Sequence, residues 1–335
     1  MNLSESLPEP FIPHRRLRNG HVMTVYAWGR ARTFPDLGAP ETRLFDVAPG
    51  TQVSADIYWQ PRRRESPVLL ALHGLEGSSG AHYMRGLASK GVAAGFSVVL
   101  LNQRNCGGTE HLGPGLYHSG LTEDAAFVID ELTRVDGIDC VAVAGYSLGG
   151  NLALKLAGEF GASAPPVLRA VCAVSPILEI SRCVHALERP LNLLYQWNFM
   201  KALRARMRRK AACFPGRFAV DRLAAVRTVR EFDDVYTAPH FGFRDAEDYY
   251  HRASAMRVIE RIRVPTLIIS AADDPFVPAS MFDAPGVRLN PSITTVVTRH
   301  GGHCGFVADR CGAPGGDGDG YWAETSIVRF ARGFC

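Results

Sequence analysis

Strand-like apolar segments alternate with amphipathic segments along most of the chain. The strand-like segments, several of them apolar throughout, lie at residues 67–73, 96–102, 140–144, 168–174, 264–271 and 293–298. Segments with helical character lie between or after them, at residues 81–91, 121–135, 151–160 and 321–330. Uninterrupted apolar strands are typical of parallel sheets that are covered on both faces. The alternation therefore predicts an α/β fold with a mostly parallel central sheet flanked by helices.

Three regions depart from this alternation. Residues 42–48 and 52–59 alternate apolar with polar positions around a Pro-Gly turn, which predicts an antiparallel hairpin. Residues 1–40 are rich in Pro, Gly and Arg, and we expect them to form an extended arm. Residues 177–263 are helical in pattern without a clear strand, which predicts a helical cap inserted into the fold. We therefore expect a single domain over residues 1–335, with its core at about 40–176 and 264–335.

Composition narrows the classes of function and the compartment. The 335 residues carry a formal net charge of +4, with 47% hydrophobic and 21% charged residues. These values are ordinary for a globular protein, and so mild a charge favours no nucleic-acid partner. No apolar segment reaches the roughly 18 residues that a membrane span needs. The N-terminus lacks the apolar region of a secretory signal. We therefore expect a cytoplasmic protein, and its oligomeric state is not predictable from the sequence.

The eight cysteines are scattered and form no C-x-x-C pair, which argues against a structural zinc site. Cys140 and Cys172 lie in apolar segments, where a thiol packs as a small hydrophobic side chain. His300 and His303 are close enough in sequence to suggest a metal site, but no third ligand accompanies them. The sequence thus predicts reduced thiols, no metal and no cofactor.

The most informative motif is the G-x-S-x-G sequence at residues 145–149, which contains Ser147. It follows a buried strand and begins a helix, which is the context in which such a serine occupies a strained turn with its hydroxyl exposed. A helix N-terminus at this point favours developing negative charge. The alternative, a Gly-rich helix cap with an idle serine, does not explain the preceding strand. We predict that Ser147 is a nucleophile.

Acyl transfer also needs donors for the oxyanion. The H-G-L-E-G sequence at residues 73–77 directly follows a buried strand. In hydrolases whose nucleophilic serine lies in a G-x-S-x-G turn between a strand and a helix, one backbone N–H comes from such a loop and another from the residue after the nucleophile. This assigns the oxyanion hole to the N–H groups of Leu75 and Leu148. The alternative for the loop is a plain Gly-rich turn.

A nucleophilic serine requires a base and an acid that orients it, in the chain order serine, acid, histidine. The strand at residues 264–271 is followed by Asp273 and Asp274. We favour Asp274 because the D-x-x-x-P sequence that it begins is similar to the loop that carries the acid in hydrolases with a G-x-S-x-G serine. Asp273 remains the alternative. After the last strand, Gly-rich sequence contains His300 and His303. We predict that His303 is the base and that His300 is structural.

The helical segment at residues 195–211 has two interpretations. It places Phe199, Met200, Leu203 and Met207 on one face, with the remainder crowded by Arg204, Arg206, Arg208, Arg209 and Lys210. One interpretation is a lid over the acyl pocket whose cations make weak peripheral contact with anionic lipid. The other, which we favour, is an ordinary amphipathic cap helix with a solvated basic face.

Taken together, these sequences resemble the YheT-like branch of α/β-hydrolases, which includes bacterial esterases and eukaryotic lipid hydrolases and acyltransferases. The resemblance includes Leu17-Arg18-Asn19-Gly20-His21 with Thr24, and the segments at residues 73–77, 117–120, 145–151, 232–234, 237–239, 248–250, 273–275, 301–303 and 305–306. It implies a triad of Ser147, Asp274 and His303. One departure is Asn105, where the branch usually has glycine. Because Asn tolerates a left-handed backbone, we expect the turn to persist.

These observations predict a serine esterase that acts on a short- to medium-chain acyl ester or a lipid-like substrate through an acyl-enzyme. One alternative uses the same triad to transfer the acyl group to an alcohol. Another, of a different class, is a non-catalytic binding protein on a hydrolase fold.

Overall fold

Eight strands of the described chain form one central sheet. The structure, a computed structural model, describes residues 7–309 and 319–335. The strands are β1 (Glu41–Ala48), β2 (Thr51–Tyr58), β3 (Val68–Leu72), β4 (Ser97–Leu101), β5 (Val141–Tyr146), β6 (Leu168–Val174), β7 (Thr266–Ala271) and β8 (Ile293–Thr298). Their order in space is β1-β2-β4-β3-β5-β6-β7-β8. The β1–β2 and β2–β4 pairs are antiparallel and all other pairs are parallel. The predicted α/β fold with a mostly parallel sheet is confirmed.

Helices cover both faces of this sheet. They are α1 (Gly20–Gly29), α2 (His82–Ala93), α3 (Glu123–Arg134), α4 (Leu148–Phe160), α5 (Ile180–Leu187), α6 (Leu193–Cys213), α7 (Val229–Phe232), α8 (Ala238–His240), α9 (Ala246–Ala253), α10 (Pro285–Arg288) and α11 (Trp322–Arg332). A π-helical turn at Asp233–Thr237 joins α7 to α8. Every residue of β3, β4 and β5 is buried, because helices pack on both sides of strands made only of Val, Leu, Ala, Ser, Gly and Tyr. None of the helices in the described ranges is both long and apolar enough to cross a bilayer.

The N-terminal segment differs from the predicted extended arm. Its first six residues lie outside the described ranges, but Gly20–Gly29 forms the helix α1. The Asn19 side chain caps this helix by accepting the Val22 N–H at 3.1 Å. Met23 and Ala27 are buried on the inner side of the helix, in a cluster with Val307, which lies far away in sequence. Packing against a distant segment, which local composition does not report, stabilises the helix.

The prediction that the thiols are reduced is wrong for one pair. Cys140 and Cys335 form a disulfide that joins residues 195 positions apart. It links the residue before β5 to the end of the chain after α11. Cys140 therefore does not act as a free apolar side chain, whereas Cys172 in β6 is buried and free. Cys311 lies outside the described residues.

The segment between β6 and β7 is helical and covers the carboxyl edge of the sheet. Its longest helix, α6, buries Met200, Leu203 and Met207 against the core. The expectation of a wholly solvated basic face is wrong at two positions, because Arg206 and Lys210 are also buried. Each has long-range partners: Nε of Arg206 donates to Glu76, and Lys210 donates to backbone carbonyls near residue 110. The basic side of α6 is thus partly an interior surface.

Candidate active site

Ser147 lies at the sharp turn between β5 and α4. Its backbone has φ 55° and ψ −113°, a strained conformation for a residue with a side chain. Two glycines permit the turn: a Cβ at Gly145 would lie 2.0 Å from the Gly149 carbonyl oxygen, and one at Gly149 would lie 2.2 Å from the Leu72 oxygen. The Ser147 N–H donates to the Val174 carbonyl at 2.8 Å. The turn places Ser147 at the carboxyl edge of the sheet and at the N-terminus of α4, where negative charge is favoured.

The loop after β3 packs against this turn. A Cβ at Gly74 would lie only 3.4 Å from the Cβ of Ser147. The Gly74 N–H donates to the Tyr83 hydroxyl at 3.0 Å, which fixes the loop in place. Leu148 is the first residue of α4, so its N–H has no partner within that helix. Leu75 and Leu148, the two predicted oxyanion donors, line the same cavity as Ser147.

His303 and Asp274 form a buried pair beyond the ends of β7 and β8. Nδ1 of His303 lies 2.9 Å from Oδ2 of Asp274. The second carboxylate oxygen, Oδ1, accepts the backbone N–H groups of Phe276 and Val277 at 3.0 and 2.9 Å. The carboxylate is therefore fixed from both sides. Because Asp274 engages Nδ1, the other imidazole nitrogen of His303, Nε2, remains for proton transfer.

Two contacts bring the His303 loop next to Ser147. The thiol of Cys304 donates to the Val174 carbonyl at 3.8 Å, and the same oxygen accepts the Ser147 N–H. Phe276 lines the Ser147 cavity, and its ring centroid lies 4.0 Å from that of His303. Within the described residues, the Ser147 hydroxyl and the imidazole share no hydrogen bond. Catalytic hydrogen bonds are often long in free enzymes and shorten when substrate binds.

The electrostatic environment of His303 is set by two opposing effects. Burial lowers the pKa of His303, but the Asp274 carboxylate and the Cys304 thiol together raise it by more, to about 10, above the ordinary value of 6.5. Asp274 thus stabilises the imidazolium form that a general base produces when it accepts a proton.

The two alternative residues form a separate pair. Oδ2 of Asp273 lies 3.2 Å from Nδ1 of His300, and its Oδ1 accepts the Gly302 N–H at 2.9 Å. Neither residue contacts His303 through a hydrogen bond in the described ranges. This pair closes the loop that carries His303.

Sequence reasoning assigned no role to α1, yet this helix supports the His303 loop. The hydroxyl of Thr24 accepts the His303 N–H at 2.8 Å and donates to the Gly20 carbonyl at 2.6 Å. Gly20 itself has no room for a side chain, because a Cβ there would lie 1.7 Å from the backbone carbonyl oxygen of Asp273. The resemblance named Gly20 and Thr24 as part of its pattern, and this was the available signal.

A second group that the sequence did not identify lies behind the oxyanion loop. The Tyr117 hydroxyl donates to the Glu76 carboxylate and accepts the Glu76 N–H, both at 3.0 Å. Nε of Arg206 donates to the same carboxylate at 2.7 Å. Arg206 thereby connects the cap helix α6 to the residue next to Leu75. These residues are separated by up to 130 positions, so their association has no local signature.

Asn105, the departure from the usual glycine, adopts φ 66° as its sequence predicted. Its side-chain amide donates to the Gly115 carbonyl at 2.9 Å, which supports the left-handed turn. Within residues 7–309 and 319–335, no group of three or more His, Cys, Asp or Glu side chains is arranged to hold a metal ion.

A small cavity extends from Ser147 beneath the cap. Its volume is about 80 Å³. Most of its wall is apolar and comes from the cap, including Ile180, Leu187, Phe199, Leu203 and Phe232. Phe199 and Leu203 of α6 thus line the cavity rather than face solvent.

Comparison with known proteins places these features in a family. A family model described as the alpha/beta hydrolase fold matches residues 67–309. The chain is 36% identical over 304 residues to "Putative esterase YheT" of Escherichia coli, covering 89% of this chain and 87% of that protein. It is 30% identical over 273 residues to Phospholipase ABHD3 of Mus musculus, covering 79% of this chain and 66% of that protein.

Among solved structures, the fold is similar to a 2,6-dihydroxy-pseudo-oxynicotine hydrolase. That similarity has a TM-score of 0.59 at 18% identity and covers 88% of this chain and 68% of the other. It is also similar to Est1E from Butyrivibrio proteoclasticus with ferulic acid bound, with a TM-score of 0.56 at 15% identity, over 87% of this chain and 98% of that one. At these identities the structures support the fold alone.

Proposed function

The chain belongs to the α/β-hydrolase family, in its YheT-like branch, and we propose that it hydrolyses carboxylic esters with a triad of Ser147, His303 and Asp274. Its relatives are named as an esterase, a phospholipase and, in Saccharomyces cerevisiae, a monoacylglycerol lipase. It is therefore a hydrolase that acts on esters, and the non-catalytic alternative is dropped. The proposal goes further in assigning the residues and the substrate class.

The single observation that best supports the triad is the buried contact of 2.9 Å between His303 and Asp274, beside the strained turn at Ser147. In the proposed mechanism, Ser147 Oγ attacks the ester carbonyl carbon while Nε2 of His303 takes its proton. The N–H groups of Leu75 and Leu148 bind the oxyanion. The imidazolium then protonates the leaving alcohol as the bond between the acyl carbon and the alcohol oxygen breaks, which leaves the acyl group bound to Oγ. Water, deprotonated by the same imidazole, releases the acid.

The small volume of the cavity supports a short acyl group rather than a long one. Turnover of p-nitrophenyl esters from acetyl to decanoyl tests this assignment and the function together. We expect kcat/KM to be highest for short chains and Ser147→Ala to abolish turnover of all of them. Activity of Ser147→Ala equal to that of the native chain would refute the proposed nucleophile, and a maximum at decanoyl would refute the acyl length.

Transfer to an alcohol uses the same acyl-enzyme, and the same assay separates the two outcomes. Ethanol at increasing concentration, with products identified by mass spectrometry, reports how the acyl-enzyme partitions. Release of mainly free acid supports hydrolysis. Accumulation of ethyl ester beyond the free acid would instead establish an acyltransferase.

We also propose that the surface formed by α1 and the start of α6, here called the mouth patch because Phe199 of α6 lines the cavity, makes weak contact with a membrane surface. Exposed apolar side chains lie there on α1, in the turn before α6 and in the first turns of α6. They are Val22, Val25, Tyr26, Leu191, Leu193, Leu194 and Trp197. The two elements adjoin, because Nδ1 of His21 lies 3.1 Å from the Tyr195 hydroxyl. Exposed Arg189 and Lys201 flank this mouth patch. Exposed apolar patches with neighbouring cations fit the interface of anionic lipid.

Co-sedimentation with vesicles of phosphatidylcholine and phosphatidylglycerol tests this contact. We expect the native chain to bind and Trp197→Ser to bind less, because the mouth patch then loses its largest exposed ring. Leu289→Ser changes an exposed apolar residue that directly follows α10 and lies outside the mouth patch. It is the matched control and should bind as the native chain does. Equal vesicle binding by both variants would show that the mouth patch does not contact the membrane. The cytoplasmic location stays a prediction.

A further inference from the structure

The cavity next to Ser147 contains one charged donor that the proposed mechanism does not use. Arg206 of α6 lines this cavity although it is only 3% exposed. Its Nε donates to Glu76, and its guanidinium carbon lies 4.9 Å from the centroid of the Tyr117 ring. Its Nη1 is buried, and no described residue accepts a hydrogen bond from it. A buried donor without an acceptor is unfavourable, and more so when it is charged, so such groups in proteins ordinarily have a partner.

The surrounding charges restrict what that partner is. Asp233 lines the same cavity, and its carboxylate accepts the hydroxyls of Thr237 at 2.6 Å and Tyr250 at 2.8 Å. Burial raises the pKa of Asp233 to about 6, while its two hydroxyl donors and the nearby charge of Arg206 act in the opposite direction. Above pH 6, Arg206 therefore lies near two carboxylates, that of Asp233 and that of its own partner Glu76. An anionic ligand would be repelled there, whereas a neutral oxygen with lone pairs would not.

We propose that Nη1 of Arg206 binds a neutral oxygen, of a keto or hydroxyl group, on the acyl chain of the substrate. The wall beside Arg206 is then a polar subsite in an otherwise apolar cavity. This inference rests on the proposed function, because Ser147 and Leu148 line the same cavity and the acyl group enters it from there. The hydrogen bond is made by a charged donor in a buried site, where such bonds are stronger than those between neutral groups.

Three p-nitrophenyl esters of matched shape test the subsite: pentanoate, 4-oxopentanoate and monosuccinate. The second has a keto oxygen on the fourth carbon, and the third replaces the methyl ketone by a carboxylate. Dividing each kcat/KM by the rate constant for hydroxide hydrolysis removes differences in intrinsic reactivity. We expect the native chain to prefer 4-oxopentanoate to pentanoate by about tenfold or more, and to show no preference for monosuccinate.

Arg206→Met keeps the length of the side chain and removes its donors, so we expect the preference for the keto ester to fall to near unity. The ratio of two esters is the readout because Arg206 also holds Glu76, and a general effect on the oxyanion loop cancels from that ratio. Arg209→Met is the matched control: Arg209 is on the same helix, is largely exposed and pairs with Glu110. It should keep the full preference. If Arg206→Met does not fold, Arg206→Lys replaces it, and the preference should fall as well, because Lys lacks the planar fork.

A preference that Arg206→Met or Arg206→Lys leaves intact would overturn the inference, as would a preference for monosuccinate in the native chain. If no ester is turned over, the proposed function fails, and the subsite is tested separately. Ser147→Ala would then be heated with methyl 4-oxopentanoate or methyl pentanoate. A larger rise in Tm with the keto ester, absent when Arg206→Met is added, supports the subsite, and equal rises overturn it.

Discussion

Replacing Asp274 by Asn separates the two candidate acids with almost no change in shape. Oδ1 of Asp274 accepts the N–H groups of Phe276 and Val277, so the oxygen of an asparagine must stay on that side. Its NH₂ group then points at Nδ1 of His303, where Oδ2 now lies at 2.9 Å. To accept from that NH₂ group, Nδ1 must lose its proton, and the proton of the neutral imidazole moves to Nε2. The imidazole can then no longer accept the proton of Ser147.

The expected loss follows from this change of tautomer and from the loss of the charge that stabilises the imidazolium. In serine hydrolases with this arrangement the same change lowers kcat by about 10⁴. This corresponds to about 5 kcal/mol of activation free energy. Because asparagine has nearly the same shape as aspartate and adds no volume to this buried site, we expect the fold to tolerate the substitution.

The assay is hydrolysis of p-nitrophenyl acetate by purified Asp274→Asn and Asp273→Asn. The second is the matched control, because Asp273 pairs with His300 and not with His303. We expect its kcat to fall by less than about tenfold, since it keeps an oxygen for the Gly302 N–H. A large loss in Asp273→Asn together with near-native activity in Asp274→Asn would refute this assignment of the acid.

Three further predictions follow from contacts around the site. In the native chain, kcat/KM should fall as the pH decreases through an apparent pKa above 6.5, because Asp274 raises the pKa of His303 and the base must be neutral; a midpoint below 6.5 would contradict this. Thr24→Val removes the acceptor of the His303 N–H and should lower the free energy of unfolding by about 1–3 kcal/mol in a urea titration, with kcat also reduced; Thr24→Ser should restore both, and an unchanged kcat in the valine variant would count against the role of α1. Cys140→Ser should lower the free energy of unfolding by about 2–5 kcal/mol in non-reducing buffer; the same stability as the native chain would show that the disulfide does not form.

The local parts of this molecule were predictable from sequence. The turn at Ser147 depends on glycines two residues away, so its strain and its strand-to-helix context are encoded within ten residues. The strands β3 and β5 are likewise recognisable one by one, because burial on both faces leaves almost only apolar residues within them. Asn105 also adopts the predicted left-handed turn because that preference is intrinsic to the residue.

The remaining features depend on pairs of residues that lie far apart. Arg206 was grouped with solvated cations because helical periodicity identifies a face but not what covers it, and Glu76 lies 130 positions away. The disulfide between Cys140 and Cys335 spans 195 positions, so spacing alone could not indicate it. The helix α1 was interpreted as an arm because its packing partners come from the other end of the chain. Tertiary contact outweighs local composition at each of these places.

The central claim is that one hydroxyl among all those in the chain forms the acyl-enzyme. Reaction of the folded protein with a fluorophosphonate, followed by intact mass and peptide mapping, tests it most directly. We predict a single adduct on Ser147 of the native chain and no adduct in Ser147→Ala. An adduct on another side chain, or undiminished labelling of the variant, would contradict the account.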